Sequence, residues 1–304
     1  MGVNISCILL LIMFPKIFQQ QTFAINGIEL CVTTGGQGPA LVLLHGFPQT
    51  HLIWHRVAPA LAQQFTLVMP DLRGYGNSAA PAGDAGHRCY SKREMARDIV
   101  ALADHLGFEH FALAGHDRGG RVAYRLVLDH PGRVSRFCAI DIVPTLDVWE
   151  EMDTAGTVSA FHWSLLAASA PLPEELIGQN PSLFYRALLE RWASDINKLD
   201  PNAVAAYLEQ YRDPARIHAQ CEDYRAGATI DRDLDQADRD AGRRLDCPVL
   251  LMWSTGYLSD KAKSPLGSWR KWADDVSEVA IDCGHFIVEE EPRLSANALV
   301  DFFV

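Results

Sequence analysis

The sequence predicts an α/β fold: a mostly parallel, eight-stranded sheet flanked by helices, with a helical cap inserted between its two halves. Three features carry that prediction. Short apolar runs bounded by turn residues alternate with amphipathic stretches. One long interval holds helical blocks and many aromatics but no strand. A strand-like run also enters a glycine-flanked turn and opens a helix at residues 111–121.

The apolar runs are Phe23–Ile25, Ile28–Thr33, Leu41–His45, Thr66–Pro70, Phe111–Gly115, Phe137–Asp141, Pro248–Trp253 and Ser277–Ile281. Segments with helical spacing separate most of them, such as 93–106, where Met95, Ile99, Leu102 and Leu106 share one face. The strand-free interval spans 144–234 and contains Trp149, Phe161, Trp163, Phe184, Tyr185, Trp192, Tyr207, Tyr211 and Tyr224. Prolines at 171, 173, 181, 201 and 214 cut it into short helices, which defines the cap. Residues 22–143 plus 235–304 then form the core. Insertions at the carboxyl ends of strands are where such sheets bind ligands.

The first 21 residues are set apart as an extension. The stretch Ile5–Phe14 is apolar but too short to span a bilayer. A signal peptide requires a basic n-region, and no Lys or Arg precedes Lys16. Met1-Gly2-Val3-Asn4-Ile5-Ser6 is a brief match to a myristoylation pattern, and a start at Met13 accounts for the segment without assigning it a function.

A net charge of −11 with no cluster of Lys or Arg excludes nucleic acid and anionic membrane surfaces as partners. Any anionic substrate must therefore be met by locally gathered positive charge. Seven scattered cysteines show no metal-ligand spacing, and their odd number argues for a reducing, cytoplasmic compartment.

The segment Gly115-His116-Asp117-Arg118-Gly119 is a nucleophile elbow with aspartate where a serine hydrolase carries serine. A carboxylate with an ordinary pKa near ~4 is nucleophilic at neutral pH without a base. It attacks saturated carbon bearing a leaving group and forms an ester, and the hydrolysis of that ester requires a base and an oxyanion hole. That chemistry selects a dehalogenase or epoxide hydrolase over an esterase or protease. His285, after the last strand, supplies the base, and the backbone N–H groups of Phe47 and Arg118 supply the oxyanion hole. Either Asp141 or Asp260 is placed to orient His285, and the residues alone leave that choice open.

Taken together, His45-Gly-Phe-Pro-Gln-Thr50, Asp71-Leu-Arg-Gly-Tyr-Gly76, Gly115-His-Asp-Arg-Gly-Gly-Arg121, Asp141-Ile-Val-Pro-Thr145, His162-Trp163 and Asp223-Tyr-Arg-Ala-Gly227 resemble the fluoroacetate (haloacetate) dehalogenases of the α/β-hydrolase superfamily. The resemblance runs from about residue 22 to the end. It implies the α/β-hydrolase fold, Asp117 as nucleophile, His285 as base and Asp141 as triad acid. It further implies Arg118 and Arg121 on the substrate carboxylate, and His162, Trp163 and Tyr224 around the departing halide. No cofactor or metal is implied. The partner is a small anionic haloacid, and whether the chain forms a homodimer stays open. Two stretches, 164–168 and 254–259, do not follow the family pattern closely, which leaves the substrate range open. The alternative is an epoxide hydrolase with the same nucleophile and base; those enzymes typically carry Trp after the nucleophile and two cap tyrosines. A non-catalytic binding protein predicts a broken constellation, whereas Asp117 and His285 are both intact.

Overall fold

Each apolar run lies in or against a strand. The structure, a computed structural model, describes residues 13–258 and 264–304. Its strands are β1 (Gln19–Ile25), β2 (Ile28–Gly36), β3 (Ala40–Leu44), β4 (Thr66–Pro70), β5 (Phe111–His116), β6 (Val134–Ile140), β7 (Val249–Ser254) and β8 (Val276–Ile281). They form one sheet in the order β1-β2-β4-β3-β5-β6-β7-β8. Only β2 breaks the parallel arrangement, running antiparallel to β1 and β4. The central strands β3 and β5 are buried along their whole length, which is why they read as unbroken apolar runs, whereas β8, at an edge, is largely open and buries only Ile281.

Helices α1 (Ala58–Leu61), α2 (Lys92–His105) and α3 (Arg118–Asp129) belong to the first half of the core. Ser91 caps α2, accepting a 3.2 Å bond from the Glu94 N–H, and the predicted face of Met95, Ile99 and Leu102 is buried. The strand-free interval between β6 and β7 is the helical cap. It comprises α4 (Thr145–Glu151), α5 (Thr154–Ser159), α6 (Phe161–Ala167), α7 (Leu172–Gly178), α8 (Pro181–Trp192), α9 (Pro201–Glu209), α10 (Pro214–Ala228) and α11 (Ile230–Asp240). Helices α8, α9 and α10 each open on a proline, with Asn180, Asp200 and Asp213 as side-chain caps. The prolines therefore start helices as well as separating them. The second half of the core adds α12 (Leu266–Trp269), α13 (Ile287–Glu290) and α14 (Pro292–Phe303).

The N-terminal boundary needs correction. Met13, Phe14 and Phe18 are buried in the core, and β1 opens at Gln19, within the segment set apart on sequence grounds. Pairing with β2 recruits three glutamines that carry no apolar signal: Gln19 faces Thr34, Gln20 faces Thr33 and Gln21 faces Val32. The rest of the Ile5–Phe14 stretch lies outside the described residues.

Cap and core meet around Phe47, in the loop after β3. Its ring contacts Tyr185, Trp192 and Tyr224 of the cap at centroid distances of 5.8, 5.9 and 5.3 Å. A polar contact lies beside it. Glu289 of α13 is buried and accepts hydrogen bonds from Gln49 and from Tyr207 of α9. Burial pushes its carboxyl up from about 4.5 to about 8, against the pull of those two bonds. Between these values the native chain keeps a proton that the unfolded chain releases. The stabilisation is thus full below the lower value and lost as pH rises toward the upper one. Glu289→Gln removes the ionisation, so the decline of Tm between about pH 5 and about pH 8 is expected to flatten. Thermal melts across that range test this; an unchanged slope contradicts it.

Candidate active site

Strand β5 ends at His116 and α3 begins at Arg118, so Asp117 makes the turn by itself. Its backbone, with φ 47° and ψ −118°, is one that side-chain-bearing residues rarely adopt. Gly119 makes the bend feasible: a Cβ there would lie 2.3 Å from the His45 carbonyl oxygen, so only hydrogen lets α3 approach β3 this closely. The elbow stands over the carboxyl ends of the central strands. The Asp117 N–H bonds to the Ile140 carbonyl at 3.2 Å, and the Phe47 N–H donates to Asp117 Oδ1 at 2.8 Å. The Arg118 amide makes no bond to that carboxylate among the described residues. Burial works to raise the Asp117 pKa, but His285, His116, Arg118 and Arg121 outweigh it and hold the carboxyl below its ordinary range. It is ionised at neutral pH.

His285 follows β8 and is 2% exposed. Its backbone N–H bonds to the Trp192 carbonyl of the cap at 2.8 Å. Nδ1 lies 2.7 Å from Asp141 Oδ2, while Nε2 lies 3.9 Å from Asp117 Oδ2 and has no hydrogen-bond partner. A carboxylate at Nδ1 requires the proton there, which leaves Nε2 as an acceptor. A water making two bonds of about 2.8 Å spans a gap of this size.

Asp141 sits just past β6 with a positive φ of 53°. Besides His285, it accepts bonds from the Ser254 N–H and hydroxyl, both at 2.8 Å. Burial pushes its pKa up, and the His285 and Ser254 bonds oppose that. Asp260 lies outside the described residues.

The two arginines are used differently. Arg118 is buried, and much of its fork is directed away from Asp117. Nε and Nη2 donate to the Asp223 carboxylate at 3.2 and 2.7 Å, and only Nη1 is left without a partner. Asp223 is itself fully buried. It also accepts bonds from the Tyr75 hydroxyl at 2.7 Å and from Lys92 at the start of α2. Arg121 donates Nη1 to the Val143 carbonyl at 2.8 Å and keeps a buried, unpartnered Nε. Burial and the neighbouring Arg118 charge both lower the Arg121 pKa.

The cap residues close in from above. His162, Trp163 and Tyr224 touch one another, with His162–Tyr224 and Trp163–Tyr224 centroids 5.7 and 5.9 Å apart. The Arg118 guanidinium lies 4.2 Å from the Tyr224 ring centre, and that of Arg121 lies 4.6 Å from Trp163. His162 Nδ1 is buried without a partner; burial lowers its pKa to about 3, so the ring is neutral. A cavity of about 380 Å³ is lined by Asp117, Arg121, His162, Trp163, Tyr257 and His285 among others. Among the described residues, no group of His, Cys, Asp and Glu is arranged to hold a metal ion, and no helix is long and apolar enough to cross a membrane.

These features define an α/β-hydrolase-fold enzyme, and residues 39–292 match the family described as alpha/beta hydrolase fold; the chain belongs to that family. It is a hydrolase of the aspartate-nucleophile, histidine-base type, closely related to both fluoroacetate dehalogenases and epoxide hydrolases. A fluoroacetate dehalogenase from Burkholderia sp is 41% identical over 286 residues, covering 94% of this chain and 93% of the relative. A soluble epoxide hydrolase from Corynebacterium sp. (strain C12) is 31% identical over 283 residues, covering 92% and 95%. Among solved structures, a Pseudomonas aeruginosa protein provisionally named an epoxide hydrolase, a point mutant with bound MFA, superposes with a TM-score of 0.89. It is 45% identical, over 95% of this chain and 96% of that one.

Three participants were not singled out from sequence. Asp223 lay inside a quoted motif, but nothing in the motif says that it engages Arg118. Ser254 and Tyr257 lie in the stretch that departs from the family pattern. A hydroxyl at the end of one strand-like run gives no sign of contact with a carboxylate at the end of another until β6 and β7 pair.

Proposed function

We propose that the chain hydrolyses a short haloacid such as haloacetate through an ester on Asp117. The observation that carries this reading is a pair of buried, unpartnered guanidinium donors, Arg118 Nη1 and Arg121 Nε, beside an ionised carboxylate. Leaving such donors unsatisfied is costly, and a substrate carboxylate satisfies both. With the substrate so held, Asp117 Oδ2 faces the carbon bearing halogen, because Oδ1 is engaged by the Phe47 N–H. Halide departs toward His162, Trp163 and Tyr224, which offer an imidazole, an indole and a phenol donor. His285, oriented by Asp141, then takes a proton from the water that attacks the ester carbonyl, with the Phe47 N–H on the developing oxyanion. Glycolate leaves, and halide and a proton are released.

A second reading is epoxide hydrolysis by the same Asp117 and His285. The comparisons support it better than dehalogenation, since epoxide hydrolase is the name borne by relative after relative. The Tyr224 hydroxyl and His162 then act on the ring oxygen, and the cavity has room for a substrate larger than haloacetate. Against it, an epoxide without an acid group leaves the two guanidinium donors unsatisfied. The purified chain offered fluoroacetate, chloroacetate and styrene oxide in parallel decides between them. Halide and glycolate from the haloacids with little diol are expected; diol from styrene oxide with no halide release overturns the first reading in favour of the second.

A further inference from the structure

The loop leaving β7, Ser254-Thr255-Gly256-Tyr257-Leu258, is among the stretches outside the family pattern, and in the fold it reaches both partners of the catalytic pair. Ser254 binds Asp141 through its N–H and hydroxyl at 2.8 Å. The Thr255 and Gly256 N–H groups bond to the carbonyls of Ile281 and Cys283 at 3.0 and 3.1 Å, tying the loop to the segment that carries His285. Gly256 permits that approach, since a Cβ there would lie 2.6 Å from the Cys283 carbonyl oxygen.

The consequence is a tyrosine ring laid on the imidazole of His285, with centroids 4.2 Å apart and planes at 36°. Trp192 flanks both rings, 5.6 Å from His285 and 6.0 Å from Tyr257, and His116 lies 4.5 Å from His285. The imidazole is enclosed by aromatic surface, and its unpartnered Nε2 is directed at Asp117. Ring-on-ring packing of this kind limits the orientations open to the imidazole.

We propose that Tyr257 is a positioning residue for ester hydrolysis, holding the His285 imidazole toward Asp117 and keeping bulk water from its face. In that step water oxygen adds to the Asp117 carbonyl carbon while a water proton passes to Nε2. The tetrahedral adduct breaks its bond to the alkyl oxygen, which takes the proton from Nε2 and leaves as the alcohol. The restored Asp117 carboxyl sheds its remaining proton to solvent. Alkylation of Asp117 by a haloacid makes no demand on His285, so Tyr257 acts on the second step alone. The inference rests on the proposed division of labour between Asp117 and His285, and not on which leaving group departs.

Single-turnover reactions with bromoacetate, quenched and followed by the mass of the Asp117 peptide, separate the two steps. Tyr257→Leu is expected to alkylate at the wild-type rate but to hydrolyse the ester about tenfold more slowly. Tyr257→Phe keeps the ring and is expected to restore hydrolysis to within about twofold of wild type. Wild-type hydrolysis in Tyr257→Leu, or equal loss of both steps, overturns the inference and leaves the function standing. A His285→Asn protein that gains no adduct on Asp117 overturns the proposed chemistry, and this inference with it.

Discussion

Replacing His285 with Asn is expected to stop turnover at the covalent ester, lowering kcat by about 10⁴-fold or more while the Asp117 peptide gains a carboxymethyl group from chloroacetate. Nε2 is the unpartnered imidazole nitrogen facing Asp117, and Asn places no acceptor of comparable basicity there. The first step survives because Asp117 is already ionised, the His285 contribution to its low pKa being shared with His116, Arg118 and Arg121. Intact-mass and peptide mapping after incubation measure the adduct. Retained turnover, or loss of turnover with Asp117 unmodified although substrate still binds, contradicts the scheme.

Asp141→Asn is expected to cost about 10⁴-fold in ester hydrolysis with little change in substrate affinity. Asp141 holds the proton of His285 on Nδ1 at 2.7 Å and is itself held by Ser254. An amide turned with its NH₂ toward Nδ1 favours the opposite tautomer, with the proton on Nε2, where it blocks acceptance from water. Because the two residues act as one unit, the double variant Asp141→Asn, His285→Asn is expected to be no slower than His285→Asn alone. Steady-state rates with chloroacetate for the single and double variants measure this. A double variant slower by the product of the two single losses contradicts a shared role.

Much of the architecture was legible because it follows from local physics. Buried parallel strands must be apolar along their length, so β3, β5 and β7 announce themselves. The elbow was legible because few residue patterns tolerate a strand reversing into a helix over one side chain. The edge strand β1 was read only in part: Gln19, Gln20 and Gln21 pair in register with β2 but have no buried face to show in their composition.

The site shows the same division. Asp117 and His285 announced themselves by residue type and by position relative to strands, and Arg118 and Arg121 through the family resemblance. Their partners did not. Arg118 sits where the sequence places it, yet Asp223, 105 residues away, takes two of its donors and changes how it meets a substrate.

From the sequence alone came the class of the fold, the aspartate at the elbow and the order of the machinery along the chain, since each depends on residues within one element or at one strand end. Only the tertiary structure decided that Asp141 contacts His285, which arginine donors remain open, and that Tyr257 covers the imidazole. Those facts depend on side-chain contacts between elements remote in sequence, and hydrogen-bond partners set by cap docking and strand pairing leave no periodic trace in the chain.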